Sequence, residues 1–233
     1  MTETLFHLRD HPLTALAVTL LAFLAGEMLQ RRLRGNALAN PVIFSIVAIN
    51  LYLLAVGQDY VAYLQGASPI QLMLGPATVA LAVPLYRHMA LIRKAWVWAL
   101  LPAGAIILSA AAFAALMLWQ GGGRELALAS LPRSVTTPVA LALAGPLEIS
   151  ASLVVFFVFA TGISGVLFGV PLLRLLGIRS EQATGLSLGL TCHALGVMRA
   201  LQISEKCAAF AVLGMGLMAV AGALLIPLVA RHL

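Results

Sequence analysis

From residue 149 to residue 173 the chain carries no charged side chain, and from 208 to 229 it carries none either. A run of this length has two homes, the core of a large protein or a lipid bilayer. The hydrocarbon core of a bilayer takes about 20 apolar residues in helical form. Charged residues make up 9% of the chain and hydrophobic ones 62%, too few charges to cover a water-facing surface of this size when a soluble domain averages roughly a quarter. The runs are continuous rather than alternating, which excludes a β-barrel. The expected class is an all-α polytopic membrane protein, a single transmembrane domain over 1–233.

Candidate membrane segments fall at 12–29, 40–57, 72–86, 96–119, 149–173, 184–202 and 208–229, with a broken polar stretch at 124–147. The first run is expected to be a retained span, because no basic n-region precedes it and no small-residue cleavage site follows. Arg31, Arg32 and Arg34 follow it, Arg87, Arg93 and Lys94 follow the third, and Arg174 and Arg179 follow 149–173. The positive-inside rule then sets the N-terminus outside and the C-terminus in the cytoplasm of a cell inner membrane. It does so consistently only if 124–147 dips in and returns on one side. The expected count is seven to eight membrane segments, one of them re-entrant.

The stretch LPRSVTTPVALALAGPL (131–147) answers a shorter one. PATVALAVPL (76–85) aligns with PVALALAGPL (138–147) at a constant offset of 62, matching both prolines. Opposite charge follows the two copies, a basic cluster after the first and Glu148 after the second. Interrupted segments at matching places in two halves point to inverted repeats, here about 40–119 and 124–230, with broken or re-entrant helices crossing near the midplane. Proline fits the first position of a helix, and Ser and Thr cap it. Gly75 and Pro76, with Thr78, thus read as one helix start, and Arg133, Ser134, Thr136, Thr137 and Pro138 as the other. Two such starts at membrane depth would aim free amides and positive dipole ends at an anion. Kinked helices whose hydroxyls bond back to their own carbonyls, or a surface loop, are the alternative.

His193 lies in GLTCHALG beside Thr191. An intramembrane histidine binds an anion, carries a proton, or sits satisfied in the interior. Arg199 reaches the pocket or snorkels to the interface. Arg133 clamps a carboxylate or caps a loop. Glu27 and Arg31 are spaced for a surface ion pair. Cys192 and Cys207 read as small buried apolar residues, in neither a metal-ligand pattern nor a disulfide framework. The net charge of +6 flanks helices and makes no nucleic-acid patch. No phosphate-binding loop, zinc spacing or nucleophile elbow is present, so neither an enzyme, a metal nor a cofactor is expected.

NPVIFSI, GPATVALAVPLY, LPRSVTTPVALAL and GLSLGLTCHALGVMRAL with ISEKCAAF behind it resemble the LrgB family, also called CidB-like, which includes the plastid glycolate/glycerate translocator. The resemblance covers most of the chain from Asn40 onward. The chain departs from the family at Cys192, where Ser is frequent, at Val197 and Met198 for a Thr-Ala pair, at Ala208 for Gly, and at Glu148. The resemblance implies one of two roles. One is a secondary transporter of small monocarboxylates of the glycolate, glycerate or pyruvate type, coupled to protons. The other is a holin-like or antiholin-like protein that modulates murein hydrolase activity and cell lysis beside a small LrgA-type partner. Expected partners are the small carboxylate anion, the bilayer and a second copy in a homodimer.

Overall fold

A computed structural model describes residues 12–33, 40–73, 76, 79, 80 and 82–233. These residues are mostly helical and contain no strand. They divide into two compact units, Met1–Ala80 and Leu81–Leu233.

In the first unit, α1 (Pro12–Arg32) packs on α2 (Pro41–Val56), followed by α3 (Tyr60–Gly66) and α4 (Ser68–Leu72). Asn40 opens α2: its Oδ1 accepts from the Val42 amide at 2.9 Å, and Pro41 follows it. Gly57, with φ 63°, closes the helix in the left-handed conformation that glycine adopts without a Cβ penalty. Asp59 caps α3 through the Val61 amide at 3.0 Å. Ala15, Tyr63 and Ala67 form the small core, and the Tyr63 hydroxyl lies 2.6 Å from that of Thr19 on α1. Glu27 and Arg31 form the exposed ion pair at 2.6 Å.

The second unit begins with α5 (Ala82–Arg87) and α6 (Met89–Trp119). The sequence placed the start of this span at 96. The helix instead begins at Met89, so Arg93 and Lys94 lie in its first two turns. At 31 residues it is about 46 Å long, enough to carry its basic end out of the hydrocarbon.

After α6 the chain makes the expected interruption. α7 (Arg124–Ser130) leads into a 3-10 turn (Leu131–Ser134), Val135 and Thr136 are extended, and α8 (Thr137–Ala144) follows. Seven and eight helical residues reach about 10–12 Å each, far short of a crossing. The Ser150 amide donates to Glu125 Oε1 at 3.0 Å. The segment therefore ends beside the place where it began. Three long helices complete the unit: α9 (Ala151–Leu175), α10 (Glu181–Leu201) and α11 (Glu205–Ala230).

The core of this unit is built around the interruption. Leu131, Val135, Ala140 and Leu143 are buried with Ile107 of α6, Val154 and Val158 of α9, and Met218 and Ile226 of α11. α10 presses against α11 through glycines: a Cβ on Gly189 would collide with the Ala211 carbonyl, and one on Gly185 with that of Cys207. Small residues allow this close approach of backbones, as in membrane helix pairs.

Among the described residues, four helices are long and apolar enough to cross a bilayer: Leu13–Arg32, Met89–Trp119, Ala151–Leu175 and Glu205–Ala230. This is fewer than the seven to eight segments expected from the sequence. The physical reasons differ by segment. α2 is apolar but 16 residues long, short of the bilayer's thickness. α10 is interrupted at His193 and carries Glu181, Gln182, Thr184, Ser187, Thr191, His193 and Arg199. The 72–86 segment falls partly outside the described residues, which leave out Gly75 and Thr78. Pro76 is helical and exposed. The aligned copies also differ at their ends, since Pro84 lies inside α5 whereas Pro146 lies beyond the end of α8.

Candidate functional site

Two interruptions meet the interior of the second unit. The first is the turn before α8. Thr136 holds the N-cap position with extended backbone (φ −59°, ψ 141°), Thr137 is the first helical residue and Pro138 the second. The sequence expected the threonine hydroxyl to cap; it makes no cap hydrogen bond, and the helix start keeps its amides without that partner. Ser134 is buried, Thr136 and Thr137 are half-buried, and Pro138 is exposed.

The second interruption is one the sequence did not signal. α10 breaks at His193, whose backbone has φ 44° and ψ −131°. Non-glycine residues rarely adopt positive φ, and such strain persists only where the surroundings hold it. Here they do. The His193 ring is 4% exposed, and its Nε2 lies 3.1 Å from the Val158 carbonyl oxygen on α9. A carbonyl only accepts, so Nε2 carries a proton and donates. Gly162, one helical turn beyond Val158, makes the space: a Cβ there would stand 2.9 Å from His193 Cε1.

Between α9, α10 and the 3-10 turn runs an open groove of about 640 Å³. Arg133 and Thr191 line it, with the hydroxyl residues Thr161 and Ser164 and the rings of Phe113, Phe156, Phe157 and Phe168. Arg133 is fixed rather than loose. Its Nη2 donates to the Ser109 carbonyl at 3.2 Å and lies 3.3 Å from the Ser109 hydroxyl. Its guanidinium stands 4.7 Å from the centre of the Phe113 ring. Its Nη1 is buried with no hydrogen-bond partner. A cation so held, with one donor nitrogen unspent beside hydroxyls and aromatic edges, can take one oxygen of a small anion. The Thr191 hydroxyl donates back to the Ser187 carbonyl at 2.7 Å and accepts from the Cys192 thiol at 3.1 Å.

Of the residues selected from the sequence, the groove thus unites Arg133 and Thr191. His193 sits behind it, buried against α9. Ser134, Thr136, Thr137 and Pro138 belong to the neighbouring turn and do not line the groove. Arg199 stands apart, two turns further along α10, where its Nη1 donates to Gln202 Oε1 at 2.8 Å. Gly75 and Thr78 lie outside the described residues, and Pro76 belongs to the first unit. Sequence reasoning missed Ser109, Phe113, Thr161 and Ser164. The signal for the last two was the cluster TGISG, small and hydroxyl-bearing inside an uncharged run. Among the described residues no group of three His, Cys, Asp or Glu is placed to hold a metal.

The model of the LrgB-like family matches residues 19–232. The chain belongs to the LrgB-like family. Relatives of this LrgB-like protein include Holin-like protein CidB of Staphylococcus epidermidis, 32% identical over 82% of this chain and 84% of the relative. The protein of the same name from Staphylococcus aureus is 30% identical over 92% and 94%. Uncharacterized protein YxaC of Bacillus subtilis is 36% identical over 91% and 92%. No solved structure matches the LrgB-like chain. Family and helices together make it a multi-pass membrane protein of the antiholin-like kind.

Proposed function

We propose that the chain is a holin-like protein of the cell inner membrane that modulates murein hydrolase activity and cell lysis. The observation that carries this reading is the kinship with Holin-like protein CidB of Staphylococcus aureus, at 30% identity over 92% of the chain. In this reading the lipid-facing residues of the long helices, such as Trp98, Trp119 and Leu175, all well exposed, meet acyl chains, a second copy in a homodimer, or a small LrgA-type partner. Controlled expression in a bacterial host, with and without that partner, tests it by the onset of lysis and the leak of an unrelated dye. Unchanged lysis timing and no leak would refute it.

The groove favours a second reading, secondary transport of small monocarboxylates of the glycolate, glycerate or pyruvate type, coupled to protons. The observation behind it is the buried, unspent Nη1 of Arg133, which lines the groove with Thr191. Thr136, Thr137 and Pro138 would present one helix start and Gly75, Pro76 and Thr78 the other, in inverted repeats at about 40–119 and 124–230. His193 would carry the proton. The N-terminus would lie outside and the C-terminus in the cytoplasm. Saturable uptake of labelled glycolate or pyruvate into liposomes, lost in His193→Ala and Thr137→Val, is its test, and leak without saturation returns the first reading. In neither reading is the chain an enzyme or in need of a cofactor.

A further inference from the structure

Near the C-terminal end of α9, a separate cavity of about 420 Å³ opens between the C-terminal turns of α9 and the first turns of α10. Arg174 and Arg179 line it and make no ion pair among the described residues. The loop that carries Arg179 is held: Gly177 is in the left-handed conformation, and the Ile178 amide returns to the Leu173 carbonyl at 2.8 Å. Arg199 of α10 does not line the cavity; its Nη1 donates to Gln202 and its Nε is buried without a partner. Glu181 is the carboxylate on the cavity wall, and Thr184 adds a hydroxyl. Val170 and Ile178 supply an apolar side.

Two arginines with one carboxylate leave a local excess of positive charge on the cavity wall. Keeping guanidinium groups together costs free energy unless an anion joins them. Guanidinium forks match phosphate oxygens in pairs, and basic pockets between membrane helices take phospholipid head groups. We propose that this cavity binds a phosphate monoanion or diester, held by Arg174 and Arg179. The apolar wall suits a ligand whose phosphate continues into an acyl-bearing glycerol; a soluble glycerol phosphate offers the same charge without the tail.

The full-length protein in nanodiscs of mixed phosphatidylglycerol and phosphatidylcholine, analysed by native mass spectrometry, tests this. Phosphatidylglycerol should stay bound in preference to phosphatidylcholine. Arg174→Gln with Arg179→Gln should weaken that retention roughly 30-fold, from about fivefold per arginine. Both residues are exposed, so the double variant should fold. Glu181→Gln should tighten retention, and Arg231→Gln, at the opposite end of α11, should leave it unchanged. Displacement of the lipid by glycerol 3-phosphate, with the same arginine dependence, would assign the site to a soluble phosphate. Retention of phosphatidylcholine as firm as that of phosphatidylglycerol, or indifference to the double variant, would overturn the proposal.

Discussion

The Glu125 carboxylate accepts a hydrogen bond from the Ser150 amide at 3.0 Å, joining the first turn of α7 to the residue that caps α9. Everything between them, two short helices and a buried turn, leaves and returns at one end of the unit. A full crossing would separate these residues by about 30 Å. The turn between them is covered by the rest of the unit, with Leu131 and Val135 buried almost completely.

The first prediction concerns this return. Arg124→Cys and Glu148→Cys, introduced singly, should both react with a membrane-impermeant maleimide added to the same side of oriented vesicles. Cys192 and Cys207 are buried and should not compete. Labelling of the two from opposite sides would mean that residues 124–147 cross.

Much of this frame was legible in the sequence. The run 149–173 became Ala151–Leu175, and 208–229 became Glu205–Ala230, because an uncharged run of spanning length has few other fates. The interruption before α8 announced itself through Pro138, which has no amide hydrogen to donate. The start of α6 was misplaced because Arg93 and Lys94 were taken as a flank. Both are good helix formers whose long stems let them ride on a helix end. The break at His193 left no local mark, since no proline or glycine stands at that position. It is imposed by tertiary contacts, the Val158 carbonyl and the space over Gly162. The groove hydroxyls were hidden for a related reason: a Ser or Thr in an apolar run usually bonds its own helix, as Thr191 does.

Gly162 should be intolerant of a methyl group. A Cβ there would lie 2.9 Å from both His193 Cε1 and Leu195 Cδ1, so Gly162→Ala must push the ring off the Val158 carbonyl. Overpacking of this sort costs about 1–3 kcal/mol. Gly104, also in a helix, has nothing within 4 Å of its would-be Cβ, and Gly104→Ala should stabilise by roughly 0.5–1 kcal/mol. Thermal unfolding of the two variants in one detergent should move in opposite directions. A neutral Gly162→Ala would mean that the ring does not occupy this site.

The strained backbone of His193 predicts an order of substitutions. Glycine enters this region of positive φ and negative ψ without a Cβ penalty, whereas a β-branched side chain there is an outlier. Both replacements lose the ring's packing and its bond to Val158, so both should destabilise. His193→Val should fall further than His193→Gly, by about 1–2 kcal/mol, of the order stored in one such conformation. Equal melting temperatures would indicate that α10 runs through position 193 without interruption.

Arg133 separates structure from transport. Its guanidinium spends Nη2 on Ser109, lies over the Phe113 ring and keeps Nη1 unspent. Arg133→Lys retains the charge but, as a point charge on a flexible stem, cannot reproduce the planar fork or the ring stacking; Arg133→Ala removes both. The ring contact contributes about 0.5–2 kcal/mol, so both variants should still fold, with a modestly lowered melting temperature. If the groove carries a small anion, labelled glycolate uptake into liposomes should drop at least tenfold in Arg133→Ala and by an intermediate factor in Arg133→Lys. Ser109→Ala, which removes one acceptor and leaves the carbonyl, should reduce it less than either. Wild-type uptake in a folded Arg133→Ala protein would remove the groove from the path. Loss of lysis modulation with no uptake in any variant would leave Arg133 a structural strut between the 3-10 turn and α6.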